Sequence, residues 1–339
     1  MTDQQSRRRF LEAAGIAGAV ALAGCSGNGG NGGNGGDGGD NGGDTTTTEG
    51  GDGGTSSRLS WHAGGTGGTY YPLSNEFKTI VDANTDFSLT VQSTGASVEN
   101  VGSLSDGSAD FALIQNDIAY FAKNGTGIEA FQDNSIENLR GVATLYPETI
   151  TVVTLAESGI ESLSDLSGKT INTGDLGSGT QVNAQQILEA VGISDYTEQN
   201  AGFAQASEQL ANGDIDAAFV VGGWPVGAIE DLATTNDVQL VPIQGDNRSA
   251  VKDAASWFAD DTIPAGTYSG VDQAIETVAV QAMIATRADL EASTVETVTA
   301  AIFDNLDELS IKTDFITVDS AQDGMSIDLH EGAAAYFDA

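Results

Sequence analysis

Apolar residues along positions 58–115 switch between strand-like and helical spacing, which predicts alternating strands and helices. Strands are predicted at RLSWHAGG (58–65), FSLTVQSTG (87–95) and ADFALIQ (109–115). Helical spacing connects them, and the apolar faces consist of Leu73, Phe77, Ile80, Val81, Val98, Val101 and Leu104. Strands and helices in this order are typical of a mainly parallel sheet covered by helices on both faces.

The same order returns further along the chain. Strands are predicted at GKTINTG (168–174) and DIDAAFVV (214–221), and a helix face consists of Ala184, Ile187, Leu188 and Val191. The segment LSDGSADFALI (104–114) also aligns without a gap with LANGDIDAAFV (210–220). This internal repeat predicts two similar α/β lobes.

Two apolar strands are expected to cross between these lobes, at ETITVVTL (148–155) and TVAVQAMIATRA (277–288). Lobe one would then consist of 58–148 plus 285–339, and lobe two of 149–284.

Each lobe opens with a glycine-rich turn, GGTGGTYYPL (64–73) in the first and LGSGTQ (176–181) in the second. Thr69 is a candidate N-cap for the first helix, and Pro72 suits its first turn. Helix N-termini present free backbone N–H groups, so the two turns together suggest a clamp for an anion. A nucleotide site is disfavoured because no lysine and hydroxyl close the glycines of the first turn. A plain surface turn remains the alternative.

The net charge of the chain indicates the solvent in which the protein works. The chain has 49 acidic and 12 basic residues, a formal net charge of −37, which excludes nucleic acid as a partner. Molar salt screens such self-repulsion, so the composition indicates a protein of an extreme halophile. Dense apolar periodicity over 59–337 argues against disorder there.

The N-terminal residues are expected to form an export signal rather than part of the fold. Arg7 and Arg8 precede an apolar stretch in a pattern similar to a twin-arginine signal, and ALAGC (21–25) resembles a lipoprotein cleavage box. We expect residues 1–24 to be removed and Cys25 to carry lipid, which anchors the protein in the bilayer at the outer face of the cytoplasmic membrane. Residues 25–57 would be this lipidated cysteine and a flexible tether of Gly, Asn, Asp and Thr.

The sequence gives little support for a catalytic site or a metal site. The chain has only His62 and His330, Cys25 is its single cysteine, and no G-x-S-x-G elbow occurs. We therefore expect no enzyme activity, no metal and no cofactor.

Six motifs in order resemble one family: GTGGTYYPL, VQSTGASVENV, DFALIQNDIAYFA, ATLYPE, LGSGTQ and IPAGTYSGVD. Together they are similar to the solute receptors of tripartite ATP-independent periplasmic (TRAP) transporters of the TAXI type, over about residues 58–337. The resemblance implies a two-lobed class II periplasmic-binding-protein fold that delivers a solute to an ion-gradient-driven permease. The dicarboxylate type of TRAP receptor grips its ligand with an arginine, but neither turn here contains one. Recognition of a carboxylate by backbone N–H and hydroxyl groups is therefore expected.

The expected ligand is a small anionic or zwitterionic solute, such as glutamate, glutamine or a related carboxylate. In lobe one its predicted contacts are Thr66, Gly67, Thr69, Tyr70, Tyr71, Ser93, Thr94, Gln115, Asn116, Asp117 and Tyr146. In lobe two they are Gly177, Ser178, Gly179, Thr180, Gln181, Gly222, Gly223 and Trp224. Trp224 follows a strand end, which favours the cleft wall over the core. A sensory receptor of the same fold and an ABC-type receptor remain alternatives.

Overall fold

A computed structural model describes residues 57–339 of the chain. The predicted export signal, the lipidated Cys25 and the tether up to residue 56 lie outside the described residues.

The described chain alternates strands and helices through most of its length. The strands are β1 (Ser57–His62), β2 (Phe87–Gln92), β3 (Phe111–Gln115), β4 (Leu139–Leu155), β5 (Thr170–Asn172), β6 (Thr197–Gln199), β7 (Ala217–Val221), β8 (Val238–Val241), β9 (Ala259–Ile263) and β10 (Ile275–Arg287). The helices are α1 (Tyr70–Asn84), α2 (Ser97–Asp106), α3 (Asn116–Asn124), α4 (Gly179–Ala190), α5 (Phe203–Asn212), α6 (Gly227–Thr235), α7 (Gly245–Ala254), α8 (Ala292–Phe303) and α9 (Glu331–Phe337).

The strands run in the order β2-β1-β3-β10-β4-β7-β5-β6, while β8 pairs with β4 and β9 with β10. Within each lobe the pairs β1–β2, β1–β3, β5–β6 and β5–β7 are parallel. Strands β4 and β10 are antiparallel to their neighbours. This arrangement confirms the predicted two-lobed α/β fold with helices flanking the sheets, although the antiparallel pairs of β4 and β10 outnumber the parallel pairs.

Strands β4 and β10 each take part in both lobes. The first part of β4 pairs with β10, whereas residues 150–155 pair with β7 and β8 of lobe two. Strand β10 pairs with β9 at its start and with β3 of lobe one at its end. Since β4 begins at Leu139, the crossing strand is longer than the 148–155 expected from the sequence, because 139–149 form one ladder with β10.

Each lobe has a core on both faces of its sheet, and a single strand contributes to both. In β3, Phe111 and Leu113 belong to one cluster and Ala112 and Ile114 to the other. Strand β7 alternates in the same way, with Ala217, Phe219 and Val221 on one face and Ala218 and Val220 on the other. Burial on both faces explains the continuous apolar runs in these strands.

The internal repeat is visible in equivalent backbone and side-chain positions. Gly107 and Gly213 both follow a helix with positive φ, at 79° and 74°. Next, the Asp110 carboxylate accepts a hydrogen bond from the backbone N–H of Ser60, and that of Asp216 from the N–H of Thr170. Each aspartate thereby ties the start of a strand to the neighbouring parallel strand.

Predicted strands that ended in a turn are shorter than expected. Strand β1 ends at His62 rather than at residue 65, and β5 ends at Asn172 rather than at 174. The residues that follow each strand end lead into the two glycine-rich turns, at 64–73 and 176–181.

Candidate ligand-binding site

A cavity of about 60 Å³ lies where the two glycine-rich turns face each other. Its wall consists of Gly64, Gly65, Gly68, Thr69, Tyr70, Thr94, Gly95, Ala96, Ser97, Gln115, Glu148, Asp175, Ser178, Gly179, Thr180, Gly202, Phe203 and Val221. Sites for drug-sized ligands are usually about 300–1,000 Å³. The volume therefore suits only a small molecule.

The lobe-one turn leads into α1, and Thr69 occupies the predicted N-cap position of that helix but makes no side-chain capping bond. Its backbone is helical (φ −84°, ψ −33°), whereas a capping residue needs an extended backbone. The Thr69 hydroxyl instead donates to the carbonyl of Gly223 in lobe two at 3.2 Å. The side chain therefore links the lobes at the edge of the cavity.

The lobe-two turn is capped by Ser178, whose hydroxyl accepts from the backbone N–H of Gln181 at 3.1 Å. Gln181 in turn accepts from the N–H of Gly177 through its side-chain carbonyl at 3.0 Å. Gly179 and Thr180, the first residues of α4, then line the cavity. The N-terminus of α4 thus faces the cavity.

The floor of the cavity presents acceptors as well as donors. Glu148 on β4 is 3% exposed, and its Oε1 has no hydrogen-bond partner within residues 57–339. The Oε1 of Gln115 and the hydroxyl of Tyr70 are also buried without a partner there. Burial raises the pKa of Glu148 to about 8, although the nearby Tyr146 hydroxyl and Lys312 ammonium lower it. Buried polar atoms of this kind call for a partner that a ligand can supply.

Glu148 is the most important residue that the motif analysis did not assign to the site. It belongs to the motif ATLYPE and to a predicted crossing strand, and neither assigned it a ligand contact. The sequence contains a signal that could have assigned Glu148 to the site, because it is the single acidic residue in the apolar run ATLYPETITVVTL.

Further contacts hold the two lobes together around the cavity. The Lys312 ammonium, from the segment between α8 and α9, donates to the carbonyls of Gly223 and Trp224 at 2.6 and 2.7 Å. The backbone N–H of Ala228 donates to the carbonyl of Gly67 at 3.1 Å. Burial lowers the pKa of Lys312 to about 8. The structure therefore has closely associated lobes.

The predicted contacts divide into two groups. Those in the cavity wall are Thr69, Tyr70, Thr94, Gln115, Ser178, Gly179 and Thr180. Those outside it are Thr66, Gly67, Tyr71, Ser93, Asn116, Asp117, Tyr146, Gly177, Gln181, Gly222, Gly223 and Trp224.

Several residues of the second group hold neighbouring backbone instead. Ser93 donates to the carbonyl of Gly64, and Asn116 binds the backbone of Gly324 and Ser326. Tyr71 packs against the lobe-one core, while Thr66 is exposed.

Other residues of the second group lie between the lobes. Gly67 and Gly222 sit close to atoms of the opposite lobe, and Asp117 binds Asn183 of lobe two. The Trp224 ring lies edge-on to Phe315 at 5.8 Å rather than in the cavity wall. Tyr146 is fully buried, close to Gly223 and Lys312.

Two general properties of the described residues bear on the site. Over residues 57–339, no group of three or more His, Cys, Asp and Glu side chains is placed to hold a metal ion. In the same range, every helix is too short or too polar to cross a bilayer.

Comparison with known proteins gives one family match. A model described as the NMT1-like family matches residues 62–338.

Solved structures are similar in fold at low identity. They include the substrate-binding protein of an amino acid ABC transporter (14% identity, TM-score 0.44, covering 76% of this chain and 96% of that one). The alkanesulfonate-binding protein of Xanthomonas axonopodis pv. citri bound to MOPS is 15% identical, with TM-score 0.45 and coverage of 76% and 80%. A protein of Bordetella bronchiseptica RB50 is 16% identical, with TM-score 0.49 and coverage of 83% and 81%. The fold assignment above rests on the strand order rather than on these superpositions.

Proposed function

We infer the function of this chain from the premise that it belongs to the NMT1-like family. We propose that it is an extracytoplasmic solute-binding receptor whose two lobes close on one small polar solute. One observation carries the proposal: a small cavity between two glycine-rich turns holds unpartnered acceptors on one side and a capped helix N-terminus on the other.

The two sides of the cavity favour a solute with two different ends. The N-terminus of α4 suits an anionic group, because Gly179 and Thr180 begin the helix at the cavity wall and the helix dipole favours negative charge there. Glu148 and Gln115 require a group that donates hydrogen bonds, since their Oε1 atoms accept and have no partner in the described chain. A small zwitterion or a partly protonated carboxylate, in the class of glutamate or glutamine, meets both requirements.

The solute can be identified from the protein itself. The mature chain is purified in molar KCl without added solute and denatured, and the released small molecules are identified by mass spectrometry. We expect a small carboxylate. Empty protein that also fails to bind L-glutamate and L-glutamine in calorimetric titration would contradict the proposed solute class.

The role of Glu148 is tested with a matched pair of variants. Glu148→Gln keeps the shape of the side chain but replaces one carboxyl oxygen with an amide nitrogen that cannot accept a hydrogen bond, and we expect about tenfold weaker binding, because an unpaired buried polar group costs about 1–3 kcal/mol. Glu208→Gln on the exposed face of α5 is the control, with unchanged affinity. Equal affinity of both variants would remove Glu148 from the solute contacts.

For delivery, we propose a TRAP-type permease driven by an ion gradient, with the receptor held at the membrane through lipid on Cys25. The six motifs that resemble TAXI receptors support this choice over an ABC-type transporter and over a signalling receptor. Uptake of the identified solute by the host cells distinguishes the three. An ionophore should abolish uptake that depends on this chain. Uptake that follows ATP instead would favour the ABC type, and uptake that is unchanged without the chain would favour a sensor.

A further inference from the structure

A buried side-chain pair joins the two lobes away from the cavity wall. Asp117 lies in the first turn of α3 in lobe one, and Asn183 lies on α4 in lobe two. Both side chains are buried, with exposures of 1% and 0%. The amide Nδ2 of Asn183 donates to Oδ2 of Asp117 at 2.8 Å.

The pair leaves two acceptors without a donor. Oδ1 of Asp117 and Oδ1 of Asn183 are both buried and lack a partner within residues 57–339. An ionised carboxylate accepts hydrogen bonds only, and so does an amide oxygen. Leaving a buried polar atom unpaired costs about 1–3 kcal/mol. A proton on Oδ1 of Asp117 would turn this atom into a donor to Oδ1 of Asn183, and neither oxygen would then remain unpaired.

We propose that Asp117 and Asn183 together form a proton-binding site shared by the two lobes, so that closure of the lobes takes up one proton. The inference rests on the proposed function only in that the lobes open and close. It adds a second ligand, the proton, at a position outside the solute cavity.

The surroundings of the pair support protonation in the closed state. Burial raises the pKa of Asp117 to about 6, although the hydrogen bond from Asn183 and the nearby backbone N–H groups lower it. The titratable groups that face Asp117 from other elements are Glu148 on β4 and Tyr70 on α1, and Asp117 raises the pKa of both. Helix α4 presents the neutral Asn183 to it. No cation of the described chain is bonded to this carboxylate.

The direction of the pH effect follows from linkage. Opening separates Asn183 from Asp117 and exposes the carboxyl to water, where its pKa returns to about 3.9. The closed state then binds the proton more tightly than the open state, so the closed fraction rises as pH falls through about 6. Between pH 7.5 and pH 5 the contribution of Asp117 should increase the ratio of closed to open molecules about tenfold.

The experiment needs no solute, so its outcome is independent of the proposed solute class. Spin labels are attached at Glu129→Cys in lobe one and Glu189→Cys in lobe two, both exposed positions, in the mature chain with Cys25→Ser. Distances between the labels are measured in molar KCl at pH 5 and pH 7.5. We expect the gain of the short-distance population at pH 5 to be about tenfold larger in wild type than in Asp117→Asn.

Asp117→Asn is the decisive variant, because its amide N–H can donate to Asn183 at every pH. We expect a large closed fraction whose pH dependence is about tenfold smaller than that of wild type, since Glu148, whose pKa is also raised by burial, contributes equally to both proteins. If wild type and Asp117→Asn respond equally to pH, or if wild type does not respond, the proton-binding site is refuted.

Asn183→Asp provides a second test that does not depend on the folding of the first variant. Two carboxyl groups facing each other cannot both remain ionised, so closure should need a proton more strongly. The pH dependence of closure should then exceed that of wild type, and a smaller dependence would also overturn the proposal.

Discussion

Gly179 shows how a single residue governs both the cavity and the fit between the lobes. It is the first residue of α4, and a Cβ atom there would clash with Oε1 of Gln115 from the opposite lobe. Gly223 is similar, because a Cβ there would come within 2.7 Å of the Tyr146 ring and 2.9 Å of Lys312. These glycines permit close approach of the lobes rather than a special backbone angle.

We predict that Gly179→Ala weakens solute binding at least about tenfold while changing the melting temperature little. Gln115 would have to move away from the cavity, and the lobes can separate to relieve the clash without unfolding. Calorimetric titration with the copurified solute, beside a thermal melt, measures both effects. The control is Gly102→Ala in α2, where a Cβ meets no atom within 4 Å. Equal binding by the two variants would place the occupant away from the α4 N-terminus.

At the level of residues, the sequence predicts local features such as turns and helix starts, but not the contacts between residues far apart in the chain. The sequence pattern placed both glycine-rich turns and the helix that each begins. Thr69 occupies the predicted N-cap position of α1 without a side-chain capping bond, whereas the hydroxyl of Ser178 caps α4. The hydroxyl of Thr69 meets a carbonyl of a residue far along the chain, Gly223, and such partners leave no trace in local spacing.

At the level of elements, the short strand β6 organises the lobe-two turn. Glu198 on this strand accepts hydrogen bonds through Oε1 from Thr173 at 2.6 Å, Gln185 at 3.0 Å and Gln181 at 3.2 Å. Burial raises the pKa of Glu198, but these donors outweigh it and the net shift is downward. The carboxylate therefore fastens both ends of the turn that lies between β5 and α4.

We predict that Glu198→Ala loosens this turn and weakens solute binding roughly threefold to tenfold, about 0.6–1.4 kcal/mol. The effect is moderate because the side chain is partly exposed and water can replace some of the bonds. Hydrogen exchange of the amides in 174–181 should become faster in the same variant. Glu208→Ala, an exposed change on α5, serves as the control. Unchanged exchange and affinity in Glu198→Ala would mean that the turn holds its shape without β6.

The lengths of the crossing strands were harder to predict than the repeat. The match of 104–114 to 210–220 identified equivalent units because each is a local helix–glycine–strand segment. Strand β4 contains Gly141 and Pro147, residues that normally interrupt or end strands. Its ladder with β10 continues through both, with register shifts between Gln281 and Met283 and between Ile284 and Ala285. Pairing with a strand distant in sequence thus overrides the local signal.

At the scale of the whole molecule, charge and closure act against each other. The full chain has 49 acidic and 12 basic residues, and closing the lobes brings acidic surface closer together. Lys312 carries one of the few positive charges of the chain, and its ammonium donates to two carbonyls of the other lobe. Much of the remaining repulsion must be reduced by ions of the solvent.

We predict that the protein needs salt at about molar concentration to remain fully folded. At a formal net charge of −37, repulsion between acidic side chains opposes the compact state. The Debye length falls from about 10 Å at 0.1 M to about 3 Å at 1 M, so most of the stabilisation should appear between these concentrations. Circular dichroism during urea unfolding, at a series of KCl concentrations, measures the free energy of unfolding. Sucrose is the control, because it favours compact states without screening charge. A free energy of unfolding that is the same in dilute buffer and in molar KCl, or that sucrose restores as well as KCl does, would mean that screening of the acidic surface does not hold this fold together.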